Sequence, residues 1–286
     1  MNNIFNIRRF GLVLSKDFHE KWKKYGLQFL TMFGIVAVIF TWYPYGNGHV
    51  YNNSLDGEFL NRELLRCASF LFFGFGIFYA STLMDSMREK TKRIAYLTMP
   101  ASNFEKFLSR WLIVTIGFII AFFIALWLAD AIRVSFLSYK FPESDIRFLD
   151  FNMLINPEAE VYSSIHIFPN KHYFRLCIGF YVLLQSLFIL GATFWEKFSF
   201  IKTFSAATVI VLSFLLLNYW IIKIVHHDIN GFGNAMDALF SNLKIQEKIS
   251  ENTALLIITC FLSFCALFNW IIAYFRFRES EIIKRL

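Results

Sequence analysis

Trp111-Leu-Ile-Val-Thr-Ile-Gly-Phe-Ile-Ile-Ala-Phe-Phe-Ile-Ala-Leu-Trp-Leu-Ala-Asp-Ala-Ile-Arg133 contains no charged residue between Arg110 and Asp130. A helix rises about 1.5 Å per residue, so crossing a hydrocarbon core of roughly 30 Å takes about 20 apolar residues, which this stretch supplies. Five more stretches of the same kind lie around it, at about 26–44, 63–84, 174–195, 204–222 and 253–275. The second is the least clean because Glu63 and Arg66 stand at its start, where both can snorkel to the interface. Each is a continuous apolar run, and the alternating short segments of a membrane barrel are missing, so the spans are helices. Composition agrees: 57% of the 286 residues are hydrophobic, 20% aromatic and only 17% charged, more apolar surface than a soluble core could hide. The fold class read from the sequence is an all-α, polytopic membrane protein with six transmembrane helices, whose solvent is the lipid bilayer.

Orientation follows from Lys and Arg in the connections, which stay on the cytoplasmic side. Segments 1–24, 85–110, 196–203 and 276–286 carry 6, 6, 2 and 4, against 1, 3 and 2 in segments 45–62, 134–172 and 225–252. The balance of 18 to 6 predicts both termini inside. Most of the net charge of +7 is then a topology signal, and nucleic-acid binding is the weaker reading of it. Residues 1–24 are expected to stay on the mature chain: no small-residue cleavage site follows the first span. Within them Ile7, Phe10, Leu14, Phe18 and Trp22 recur at spacings of 3, 4, 4 and 4, the pattern of an amphipathic helix lying in the membrane interface. A solvated basic tail is the alternative.

Segment 85–110 is the most informative connection. Ser102 and Glu105 have the spacing of a capping box, and Pro100 disfavours helix just before it, so a short helix is expected to begin near Ser102. Phe104, Phe107 and Leu108 give that helix an apolar face, which either docks a partner or continues into the third span. The loop 134–172 carries Pro142 and Pro157 around Phe148, Leu149, Phe151 and Leu154, and is expected to pack on the outer mouth. His226-His227-Asp228 suggests a metal only weakly, because adjacent residues rarely complete a coordination sphere. No cofactor or metal site is expected. Cys67, Cys177, Cys260 and Cys265 all fall in spans, as small apolar packing residues. Gln185, Ser186, Asn218 and Asn269 within the spans, with Asp130 and Arg133 at the end of the third, read as hydrogen-bonding glue between helices. No nucleotide-binding, zinc-protease or nucleophile-elbow motif is visible, so the chain itself is not expected to be an enzyme.

The amphipathic segment Asn6–Lys24, the six spans and the run Glu89-Lys-Thr-Lys-Arg-Ile-Ala-Tyr-Leu-Thr-Met-Pro-Ala-Ser-Asn-Phe-Glu-Lys-Phe107 together resemble one family: the permease subunits of bacterial ABC-type exporters of the second exporter class. The run is similar to that family's coupling segment, with Leu97, Pro100 and Ser102 followed by Glu105 and Lys106. The resemblance covers most of the chain in layout and some 20 residues in motif. It implies a permease in the bacterial inner membrane, working as a homodimer or paired with a second permease and powered by a separate cytoplasmic ATPase. It also implies that Tyr96, Pro100, Ser102, Phe104, Glu105, Lys106 and Phe107 form the docking segment, with Phe104 as apolar anchor and Glu105 and Lys106 as polar contacts. The long loops after spans three and five depart from the family pattern, which has a short re-entrant hairpin before the last span. Two other classes fit the hydropathy: a non-transporting membrane scaffold, and a membrane-embedded enzyme, which would need a cluster of His, Asp or Glu at one depth that this sequence does not display.

Overall fold

The computed structural model describes residues 5–46, 50–51, 54–55, 57–87, 89–142, 144, 146–151, 168, 170–195, 197–225 and 250–283. Among these the regular structure is helical apart from one two-residue antiparallel ladder, β1 (Val50–Tyr51) against β2 (Ser54–Leu55). The helices are α1 (Ile7–Gly46), α2 (Gly57–Ser81), α3 (Lys90–Leu97), α4 (Asn103–Leu112), α5 (Phe118–Lys140), α6 (Lys171–Phe194), α7 (Ser199–Val225) and α8 (Glu251–Ile283). A π-helical segment, Ile113–Gly117, joins α4 to α5 without a break. Six helical stretches, Ile7–Tyr45, Phe59–Ser81, Asn103–Lys140, Lys171–Phe194, Ser199–Ile221 and Glu251–Glu279, are long and apolar enough to cross a membrane, one for each span read from the sequence.

The crossings alternate. Phe5, before α1, and Tyr274, in α8, both pack on Phe104 of α4, and Ser199 at the start of α7 hydrogen-bonds the Ser81 carbonyl at the end of α2. At the opposite end Tyr45 packs on Phe141, and Asn170 and Tyr173 bond Asn252 and Glu251. Both described termini therefore lie at the end of the bundle that carries α3 and α4, as an even number of crossings requires.

The interfacial helix and first span, expected as two elements, form one helix of 40 residues. At 1.5 Å per residue it is about 60 Å long, twice the hydrocarbon thickness. Gly26 at the expected junction does not interrupt it, since a lone glycine only weakens a helix, and Pro44 stands in its last turn. Beside it runs the equally long α4–π–α5 rod, parallel and nearly in register: Arg9 meets Glu105, Asp17 meets Ser109, and Tyr45 meets Phe141.

Two apolar clusters hold the bundle. One joins Met32, Val36 and Phe40 of α1 to Leu64 and Ala68 of α2, Phe118, Phe122 and Leu126 of α5, and Tyr181 of α6. The other lies beneath α3 and α4, where Tyr96 and Phe107 root among Leu83, Met84, Phe188, Ala192, Ala273 and Phe277. Helices pack closely through small residues: a Cβ on Gly179 of α6 would stand 3.2 Å from Thr259 of α8, and one on Gly191 would collide with Thr203 of α7. Ser186 and Asn269 hydrogen-bond across α6 and α8 at 3.0 Å, the glue expected of intramembrane polar groups. Asn218 instead bonds the Phe214 carbonyl of its own helix. The loop residues Phe148, Leu149 and Phe151 do pack on the bundle: Leu149 is buried, the Phe148 carbonyl accepts from Asn61, and Phe151 stacks edge-on with Phe123. Pro157, Leu154 and His226-His227-Asp228 lie outside the described residues.

Candidate functional site

The segment singled out by sequence is a helical hairpin. After a 3-10 turn at Asp85–Met87, α3 runs to Leu97, the chain turns through Thr98–Ala101, and α4 begins after Ser102. The α3 helix was not expected from the sequence. Pro100 restricts only the residue before it, and α3 has already ended two residues earlier, where the Thr98 amide donates to the Ile94 carbonyl. The capping box at the start of α4 is complete: the Ser102 hydroxyl accepts from the Glu105 amide at 3.2 Å, and the Glu105 carboxylate accepts from the Ser102 amide at 3.0 Å.

That carboxylate does more than cap. Glu105 is fully buried, and its Oε1 and Oε2 accept from Arg9 Nη2 at 2.9 Å and Arg9 Nε at 2.6 Å, a two-pronged pair, while Oε1 also accepts from the Asn6 amide at 2.7 Å. Four donors converge on one carboxylate and tie the start of α1 to the start of α4. Burial alone would raise the Glu105 carboxyl, but the Arg9 guanidinium and the amides of Asn6 and Ser102 outweigh it and hold it down at about 2. The tie is therefore ionised throughout the physiological range and does not work as a pH switch.

Two further ties follow along the same contact. Ser109 donates to Asp17 at 2.6 Å, both groups buried, and Lys24 pairs with Asp85 at the start of the 3-10 turn. Arg110 is buried with its guanidinium 3.5 Å from the Tyr96 ring centroid, and Tyr96 in turn donates to the Lys106 carbonyl at 2.8 Å. The Nε and Nη2 of Arg110 have no hydrogen-bond partner among the described residues, and its guanidinium is held chiefly by stacking on the Tyr96 ring. The hairpin is thus clamped internally by Tyr96 and externally by α1.

This geometry redraws the surface on which a partner could sit. Glu105, Lys106, Tyr96 and Phe107 face inward, and Glu105 is already saturated by groups of its own chain. Glu105 and Lys106, expected as polar contacts to another protein, are buried against their own chain here: in α4 the positions 105, 106, 109 and 110 form the helix face that meets α1 and the second apolar cluster. Ser102 is committed to its cap. Phe104, 38% exposed, is half covered by Phe5 and Tyr274, and Pro100 is exposed at the turn. The outstanding apolar residue is one the sequence reading does not single out, Ile94, which stands 59% exposed on α3 directly after Lys92 and Arg93. Its signal is an aliphatic residue directly after a basic run, and it can be read as exposed only once α3 is known to be a helix.

Among the described residues no group of three metal-ligating side chains occurs, and the four cysteines are unpaired within the helices. Comparison with protein-family models, with curated proteins and with solved structures returns no match to this chain.

Proposed function

We propose that this chain is the membrane-spanning permease subunit of an ATP-driven exporter, and that the α3–α4 hairpin docks a separate cytoplasmic ATPase. The observation that carries the reading is mechanical. A rigid hairpin rooted on the ends of α2, α6 and α8 is tied through Glu105 to the start of a 60 Å helix, and α4 continues directly into the third span. A push on the hairpin would be handed to two parallel rods at once, which is what a coupling element has to do. The chain carries no nucleotide-binding motif, so an energy source would be a second protein. The sequence balance of Lys and Arg places the hairpin end in the cytoplasm.

In this reading Ile94 is the anchor, Phe104 and Pro100 are the flank, and Glu105 positions the hairpin from inside. Truncating a desolvated anchor at an interface costs roughly 2 kcal/mol or more, and rim charges cost little. Affinity capture of the tagged chain from its own membranes tests it: an ATPase should copurify, Ile94→Asp should lower its recovery several-fold, and Phe104→Ala should lower it less. Absence of any ATPase with the unaltered chain would transfer the assignment to the non-transporting scaffold, the second reading that the hydropathy permits.

A further inference from the structure

Along α1 the residues Gly11, Leu14, Phe18, Tyr25, Phe29, Met32, Val36 and Phe40 recur at 3, 4, 7, 4, 3, 4 and 4, one continuous stripe. From Met32 onward the stripe is buried against α2 and α5. Before that, the same stripe forms the wall of a groove of about 480 Å³, the size of a small-molecule site, whose other walls are Leu112, the π segment with Ile116 and Gly117, Ile120, Tyr79 of α2 and Thr82 just after it. The rods are pinned at Arg9–Glu105 on one side of the groove and pack closely on the other, so the groove is a gap between two fixed contacts. Its lining is apolar, and Phe18, Ile116 and Ile120 at its edge are exposed in a region that belongs to candidate membrane spans. A Cβ on Gly11 would meet nothing within 4 Å, so the groove floor at that point is open space.

We propose that this groove holds an acyl chain of an anionic phospholipid. The chain class follows from the apolar lining and from the exposed apolar residues at its edge, which stand on candidate membrane spans. The headgroup class follows from charge. Arg8, His19 and Lys23 are exposed and lie three turns and one turn apart, a row along the edge of the groove stripe. The acids of this part of α1 point elsewhere: Asp17 is buried on Ser109, and Glu20 pairs with Lys16. Lys and Arg near a membrane surface attract anionic lipid by about 1 kcal/mol each, and Arg8 and Lys23 beside one apolar slot, with His19 lining it between them, select a headgroup above a specific chain site. The polar lining groups sit together too, His19 bonded to the Ser15 carbonyl at 2.9 Å.

The inference requires membrane insertion but not transport, so its failure and the failure of ATPase docking are separate events. The test uses the full chain in nanodiscs of phosphatidylcholine containing a phosphatidylglycerol with a photoreactive acyl chain. After irradiation, peptides covering 11–29 and 112–121 should carry several-fold more label than the lipid-facing stretch Val209–Leu217 of α7. Gly11→Trp, which fills the groove from a position with free space, should remove that excess. Ile120→Trp fills it from the opposite wall and covers the case in which the first variant does not fold. Arg8→Gln with Lys23→Gln should lower the excess several-fold, and the same photoreactive chain on phosphatidylcholine should give little. Even labelling of all lipid-facing helices, or an excess untouched by both filling variants, overturns the site. Equal labelling by the two lipids overturns the anionic headgroup.

Discussion

Two carboxylate–guanidinium pairs stand at the two ends of the bundle, and they are built on different plans. At the end away from the hairpin, Asp130 and Arg133 are one turn apart on α5, both buried, with Nε to Oδ1 at 2.7 Å. Their remaining atoms hold a loop: Arg133 donates to the Arg147 carbonyl at 2.7 Å, and the Leu149 amide donates to Asp130 at 2.8 Å. At the hairpin end, Arg9 and Glu105 come from helices 96 residues apart, and Arg9 remains partly exposed. The first pair fastens a loop onto a rod that would exist without it. The second fastens one rod to another and sets where the hairpin points. A buried pair with both members inside is expensive to break, because the survivor is left charged in an apolar setting, whereas a pair with one member at the surface leaves a survivor that water can reach.

The largest effect should therefore come from Arg133→Ala, which strands Asp130. It is expected to cost roughly 3–5 kcal/mol, seen as loss of folded protein in detergent and a lower thermal midpoint. A variant as stable as the parent would mean that the loop tie is idle. Next comes Glu105→Ala, which takes the partner from the amides of Asn6 and Ser102 as well as from Arg9. Its expected cost is about 2 kcal/mol, with faster hydrogen exchange in both 7–20 and 90–112 and little change in the spans. Exchange rising in the hairpin alone would show that α1 is held by other contacts. Ser102→Ala removes only one side of the cap, about 1 kcal/mol, and its exchange effect should stay within α4. The smallest effect is that of pH. Glu105 sits at about 2, below its ordinary 4.5, so the stability it contributes is present above the ordinary value and is lost only as pH falls toward the lower one. The distance between spin labels attached to cysteines placed at Ile7 and Asn103 should stay constant from mildly basic to mildly acidic buffer. A change in that interval would mean that some other group controls the tie.

How much of this was legible in the sequence divides along the same line. Features encoded by neighbours in the chain could be read: the six apolar runs, and the Ser102 to Glu105 cap, which needs only a spacing of three. Features encoded by distant partners could not. Nothing near Glu105 in the chain says that Arg9 will occupy it, so a charged residue in a connecting segment reads as a surface contact when it is in fact a buried tie. Helix α3 was missed because its Glu89 start has no side-chain cap to announce it, and Ile94 went with it. The continuity of α1 was hidden by Gly26 and by the change from basic to apolar composition, which alter a helix's surroundings without ending it. The π segment, one wall of the acyl groove, has no sequence signature in Ile113–Gly117 beyond its apolar character.

In the proposed orientation the hairpin end faces the cytoplasm, where an ATPase could meet it, while the Asp130–Arg133 end faces outward. Single cysteines at Thr91 on α3 and at Phe148 on the fastened loop, both exposed, can be placed in a chain whose four natural cysteines are replaced. A membrane-impermeant maleimide applied to intact cells should label Phe148→Cys and leave Thr91→Cys untouched until the membrane is opened. Labelling of Thr91→Cys in intact cells, with Phe148→Cys protected, would invert the molecule and contradict the account.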